Sequence, residues 1–144
     1  KDTEKQLYKA LHSTDPVVRW WSLTSCAYFA KQTSALKADV SKMLTDERSF
    51  VRSRAIVVLS MFGEKYTKKD ILAILDNAKT GAETLIILND VTYMIENGLL
   101  KPFELELNEI KEECAGVDWR LKYLNSFVKA DNWEDRWKTI YKTE

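Results

Sequence analysis

The pair Val18-Arg19 returns as Val51-Arg52, 33 positions further along, and the residues behind it return with it. Ser22 aligns with Ala55, Ser25 with Val58, Cys26 with Leu59 and Phe29 with Phe62. Val18, Ser22, Ser25, Cys26 and Phe29 step by four, three, one and three, which traces one face of a helix and not of a strand. A further shift of 33 reaches Thr84, Leu88, Val91, Thr92 and Ile95, and 35 more reaches Trp119, Tyr123, Ser126, Phe127 and Ala130. Arg19, Arg52 and Arg120 share one place in the unit, where the third copy has Leu85. A helix-turn-helix period of this length predicts an all-α chain built as an α-solenoid of about four helix pairs, each hiding its apolar face by stacking on its neighbours.

Local signals set the units at 3–31, 33–63, 67–98 and 102–130, with a short C-terminal capping helix at 132–143. Thr3 is placed to cap a first helix with Leu7, Tyr8 and Leu11 inward. Asp15 and Pro16 open the second, which runs to about Lys31, because proline at the first helical position gives up only a donor without a partner. Thr33 or Ser34 caps a third with the stripe Leu36, Val40, Met43 and Leu44. The fourth carries SFVRSRAIVVLSMF and stops at Gly63. Thr67 and Asp70 resemble a capping box ahead of Ile71, Leu72, Ile74 and Leu75, and Gly81 separates that helix from Ala82 to Glu96. Pro102 is expected to start a helix with the stripe Phe103, Leu107, Ile110 and Cys114 and its glutamates facing water. Asp118 caps WRLKYLNSFVK, and Asp131 or Asn132 starts a last helix whose Trp133, Trp137, Ile140 and Tyr141 form a lid for the terminal repeat.

Composition removes several classes of function. Lys plus Arg and Asp plus Glu both number 22, so no global field selects nucleic acid or an anionic membrane. The apolar runs are too short to span a bilayer. Cys26 and Cys114 lie far apart at a spacing that matches neither a zinc site nor a redox motif, and their redox state stays open. Cys26 stands where Leu59 stands one unit later, which reads as core filler, and His12, the only histidine, cannot build a zinc site. With no phosphate-cradling glycine loop either, the expectation is no catalytic residue, no cofactor and no metal in this chain. The chain opens on Lys1 and enters a helix almost at once, as a piece of a longer protein would.

The candidate partner-binding residues are Trp20, Arg19, Arg52 and Arg54. Adjacent helical residues diverge by about 100°, so Trp21 is assigned to the core while Trp20 is left either buried or emerging with Arg19 as an anchor. Arg19, Arg52 and Arg54 form either a binding row or a ladder bonded to neighbouring acids and carbonyls.

The Asp15-Pro16-Val17-Val18-Arg19 and Phe50-Val51-Arg52 starts resemble those of HEAT-like repeats, in a compact, divergent form, since HEAT periods run about 40 to 47 residues. More narrowly, DPVVRWWSL, then SFVRSRAIVVLSMFGE, then TLIILNDVTYMIENG resemble the helical tail behind the catalytic domain of some bacterial sulfatases. In those tails the first unit often begins Asp-Pro-x-Val-Arg with an aromatic, as Asp15, Pro16, Val18, Arg19 and Trp20 do, and the third has a Leu-Asn-x-x-x-Tyr-like run, as Leu88, Asn89 and Tyr93 do.

The resemblance implies a non-catalytic C-terminal accessory domain of a sulfatase-like hydrolase, docked on the catalytic domain of the same parent chain or on a protein partner. It also implies a periplasmic or other extracytoplasmic location. The sulfatase motif C/S-x-P-x-R is not met, because Cys26 is followed by Ala-Tyr-Phe-Ala and Cys114 by Ala-Gly-Val-Asp, so no enzyme activity is assigned to this chain. Two alternatives remain: a free-standing HEAT-like adaptor, and a DNA-binding or DNA glycosylase-type HEAT-like domain, against which the zero net charge weighs.

Overall fold

Helix follows helix from Asp2 to Tyr141, the residues that the computed structural model describes, and no strand occurs among them. Helix α1 (Asp2–Leu11) buries Leu11 and half-buries Leu7, but leaves Tyr8 exposed, and Thr3 lies inside its first turn, not at its cap. Helix α2 (Pro16–Tyr28) starts as expected: the Asp15 carboxylate accepts from the Val17 N–H at 2.8 Å. It ends earlier than expected, because Phe29 leaves helical geometry and α3 (Ala30–Thr33) restarts the chain. The Thr33 hydroxyl reaches the Cys26 and Phe29 carbonyls at 3.0 Å each, serving acceptors that the broken helix leaves open.

The third expected helix is reduced to α4 (Lys37–Lys42) between two 3₁₀ turns, Ser34–Leu36 and Met43–Thr45, with no side-chain cap from Thr33 or Ser34. Only Leu36 and Val40 of its stripe are buried. By contrast α5 (Ser49–Met61) is buried on nearly every side, including the β-branched run Ile56, Val57 and Val58. Gly63, at φ 94°, closes it: the Gly63 N–H reaches Ser60 O and the Glu64 N–H reaches Leu59 O, both at 3.0 Å, which is a Schellman cap. Gly98 closes α7 (Gly81–Glu96) through the same pair of bonds, to Ile95 and Met94.

Between them, α6 (Lys68–Leu75) opens with the Asp70 carboxylate accepting from the Thr67 N–H at 2.7 Å and from its hydroxyl at 3.0 Å. The helix expected after Pro102 is absent. The chain from 101 to 106 is irregular, followed by 3₁₀ turns at Leu107–Glu109 and Glu112–Cys114. Its buried anchors are Leu105, Ile110 and Cys114, while Leu107 is exposed. Helix α8 (Asp118–Lys129) and α9 (Trp133–Tyr141) complete the fold. The expected aromatic lid faces outward: Trp133, Trp137 and Tyr141 are exposed and only Ile140 is half-buried, and positions 142–143 of that cap lie outside the described residues.

Packing runs in sequence order, with α2 on α5, α5 on α7, α7 on α8 and α8 on α9, and with α1, α4 and α6 against their neighbours. Helix α5 divides its side chains between two cores: Val51, Ala55, Val58 and Leu59 meet Leu23 and Cys26 of α2, while Ile56 and Val57 meet Leu88 and Val91 of α7. Each large aliphatic side chain so buried contributes about 1.5–3 kcal/mol.

Candidate partner-binding surface

Arg19 sits in the second turn of α2, a position that aims its side chain at the loop before α5. Its Nε and Nη2 donate to the Asp46 carboxylate at 2.7 and 3.0 Å, and Nη1 donates to the Ser13 and Thr14 carbonyls at 2.9 and 3.1 Å. Glu47 lies 3.6 Å away. The bond to Asp46 raises the Arg19 pKa, against the opposing effect of burial. A buried fork with this many partners is a joint in the protein, so Arg19 does not emerge as a binding anchor. Arg52 occupies the same place one unit later and does the equivalent thing: its Nε donates to the Asp46 carbonyl, and Asp46 is the repeat counterpart of Ser13.

Two further ion pairs join α5 and the residue before it, Arg48, to α7. Arg48 donates to Glu83 Oε1 from Nε and Nη2 at 3.1 and 2.5 Å, and Glu83 Oε2 accepts from the Lys79 N–H at 2.7 Å and the Ser49 hydroxyl at 3.2 Å. Burial works against ionisation of Glu83, but these donors outweigh it and hold its pKa below the ordinary glutamate value. Arg54 reaches Asp90 Oδ1 at 2.8 Å and the Thr24 hydroxyl at 2.9 Å, while Ser53 donates to Asp90 Oδ2 at 2.7 Å. Burial pushes the Asp90 pKa up, with Arg54 and Ser53 offsetting part of the effect.

Trp21, assigned to the core, is exposed, and Trp20, left open between burial and exposure, takes the more buried place. Trp20 is half-buried beneath Arg54, whose guanidinium carbon lies 4.4 Å from the ring centroid. Trp21 is the exposed one and touches Trp20 edge-on, with ring centroids 4.8 Å apart. Around it on α2, Val17, Val18 and Tyr28 are also exposed, as is Phe29 at the helix's C-terminal cap. Arg19 is the only charged residue between Pro16 and Ala30, and it is turned away into its buried fork. An uncharged exposed face therefore lies on α2, centred on Trp21 rather than on Trp20 and the arginines.

The nucleophile candidates are occupied as packing. Cys26 is fully buried, and burial pushes its thiol up to about 11, with the Thr33 hydrogen bond opposing, so little thiolate exists at neutral pH. Cys114 is buried with its Sγ 3.7 Å from the Ala78 carbonyl. His12 meets the Tyr8 carbonyl at 2.8 Å and lies 3.5 Å from Asp39. Among the described residues no group of three or more His, Cys, Asp or Glu is placed to hold a metal ion, and no helix is long and apolar enough to cross a membrane.

Sequence reasoning missed Asp46, Glu83 and Asp90 as the partners of the arginines. The signal lay in the repeat register: Glu83 stands where Val17 and Phe50 stand, and Asp90 where Thr24 and Val57 stand. An acid entering an apolar register needs a cation from the adjoining unit. No family model, curated protein or solved structure matches the chain.

Proposed function

We propose that the chain is a non-catalytic HEAT-like repeat scaffold that serves as the accessory domain of a sulfatase-like hydrolase and docks on its catalytic domain. The observation carrying the scaffold reading is that consecutive units are riveted through buried carboxylates. Arg19 grips Asp46, Arg48 grips Glu83 and Arg54 grips Asp90, each across the step from one repeat to the next. Breaking one partner of such a pair leaves a buried charge uncompensated, which fixes the relative placement of the helices. A surface held this way presents the α2 face in one geometry, at low entropic cost on docking.

The same bonds weaken the DNA reading. Arg19 and Arg54 are held by carboxylates, carbonyls and a hydroxyl and Arg52 gives its Nε to a carbonyl, so the three do not form a row of free guanidinium groups for phosphates. The sulfatase assignment rests on the Asp15 to Trp20 start and the Leu88-Asn89-Tyr93 run. Its test is the reading frame upstream of Lys1. A C/S-x-P-x-R motif with a cluster of metal-binding acids is expected there. A frame lacking both removes the hydrolase and leaves the free-standing adaptor.

A further inference from the structure

The exposed face of α2 corresponds, position by position, to faces that are covered elsewhere in the same chain. Val18 is 39% exposed, whereas its counterparts Val51 and Thr84 are both 0% exposed. Trp21 is 58% exposed, whereas the Arg54 side chain is 18% exposed and Ile87 is fully buried. Ser25 is half-buried, against fully buried Val58 and Val91. Phe29 is 47% exposed, against half-buried Phe62 and a 7% exposed Ile95. What covers these positions in the later copies is the preceding unit: α2 lies on α5, bringing Leu23 and Cys26 against Val51 and Val58, and α5 lies on α7. Only the first copy lacks a predecessor among the described residues.

We propose that this face of α2 is a stacking site for one more helix. The occupant packs an uncharged stripe, with apolar residues three and four apart, against Val18, Trp21, Ser25 and Phe29, as α2 packs on α5. The chemistry of the partner follows from the face: it carries no charge to pair with a salt bridge and offers no open backbone to extend a sheet, so an amphipathic helix with aliphatic or small residues is what fits. A charged residue on that stripe would be desolvated without a partner and is excluded. The proposal rests on the repeat reading above and names the face and the kind of partner that reading leaves open.

The test repeats residues 1–33 once ahead of Lys1, which places a second copy of α2 33 positions before the first, the separation of α2 from α5. If the face accepts a helix, the longer chain unfolds in one transition, its melting temperature rises by at least about 4 °C, and the indole N–H signal of the original Trp21 becomes protected from solvent. Val18→Asp in the original copy abolishes all three gains. An unchanged melting temperature with a solvent-accessible Trp21 overturns the proposal, as does a gain that survives Val18→Asp.

Two measurements on the unextended chain keep the proposal testable if the longer chain does not fold. The variant Val18→Thr/Trp21→Gln should leave the melting temperature within about 2 °C; a large loss means the face is already used inside the chain and overturns the proposal. Sedimentation across a range of concentrations should show a monomer. A dimer that protects Trp21 makes the occupant a second copy and equally overturns it. None of these results depends on what lies upstream in the genome, so the hydrolase assignment and the stacking site fail separately.

Discussion

Two connectors do the same topological job in different ways. From α5 the chain reaches α7 through the capped helix α6, and from α7 it reaches α8 through the irregular stretch 101–117. In the first, the buried residues Ile71, Ile74 and Leu75 step by three and one, which a helix places on one side. In the second, Leu105, Ile110, Cys114 and Val117 step by five, four and three, and a straight helix that turned the last three to one core would leave Leu105 off that side. Spacing of anchors therefore decides the conformation over a favourable Pro102 start. The largest test of this contrast is a pair of truncations. Leu105→Ala, at a fully buried position, should cost about 2–5 kcal/mol in chemical denaturation, whereas Leu107→Ala, at an exposed one, should cost under about 0.5 kcal/mol. A helix bearing the stripe Phe103, Leu107, Ile110 and Cys114 would give the reverse order.

An irregular connector must also find partners for its backbone, which α6 satisfies within itself. Asn125 of α8 supplies them: its Oδ1 accepts from the Leu105 N–H at 2.9 Å and its Nδ2 donates to the Leu105 carbonyl at 2.8 Å. Asn125→Ala should cost about 2 kcal/mol, from two lost bonds to partly buried groups. Asn125→Asp, which loses the donor and keeps an acceptor, should fall between it and the wild type. Hydrogen exchange at the Leu105 amide reads the local effect directly.

This contrast also explains which parts were readable in advance. Asp15-Pro16, Gly63 and the Thr67–Asp70 pair act through neighbours in sequence, and each forms the cap or stop it signals. Of the positions in the repeat register, Ala55, Val58, Leu59, Leu88, Val91 and Ile95 are buried, whereas Val18, Phe29 and Trp119 are exposed. The unreadable parts depend on partners far along the chain. Leu105 is held by Asn125, Arg19 by Asp46, and Trp20 by Arg54, and none of these separations follows from local periodicity. Trp21, assigned to the core on sequence, is exposed, because a side chain's burial depends on which side of α2 meets α5, and only the packing fixes that.

The connectors differ again in what ties them to their neighbours, and pH separates them. The one before α7 is tied through Glu83, an ionised carboxylate that accepts from the Lys79 N–H, Ser49 and Arg48. The one after α7 is tied through the neutral Asn125. Because the Glu83 pKa is lowered in the folded protein, its stabilisation is present above the ordinary glutamate pKa and is lost as pH falls through the folded value. Glu83→Gln should therefore cost about 1.5 kcal/mol at neutral pH, and the difference from wild type should shrink on acidification. The cost of Asn125→Ala should stay constant over the same range. Equal pH dependence of the two variants would erase the distinction.

The smallest effects test whether a short contact matters in itself. Asp70 at the start of α6 and Glu104 in the second connector each make a 2.7 Å contact, with the Thr67 N–H and with Lys129 respectively. The first satisfies a backbone donor that the helix end leaves open, and Asp70→Ala should cost about 1 kcal/mol. The second joins two half-exposed side chains that water would otherwise solvate, and Glu104→Ala should cost under about 0.5 kcal/mol and less still at high salt. Comparing the two by denaturant midpoint at low and high salt isolates the cause. If the losses are equal and fall together with salt, the carboxylates act only as charges. If the Asp70 loss persists while the Glu104 loss vanishes, the capped connector is set by a backbone hydrogen bond, and the irregular one takes its stability from Leu105 and Asn125.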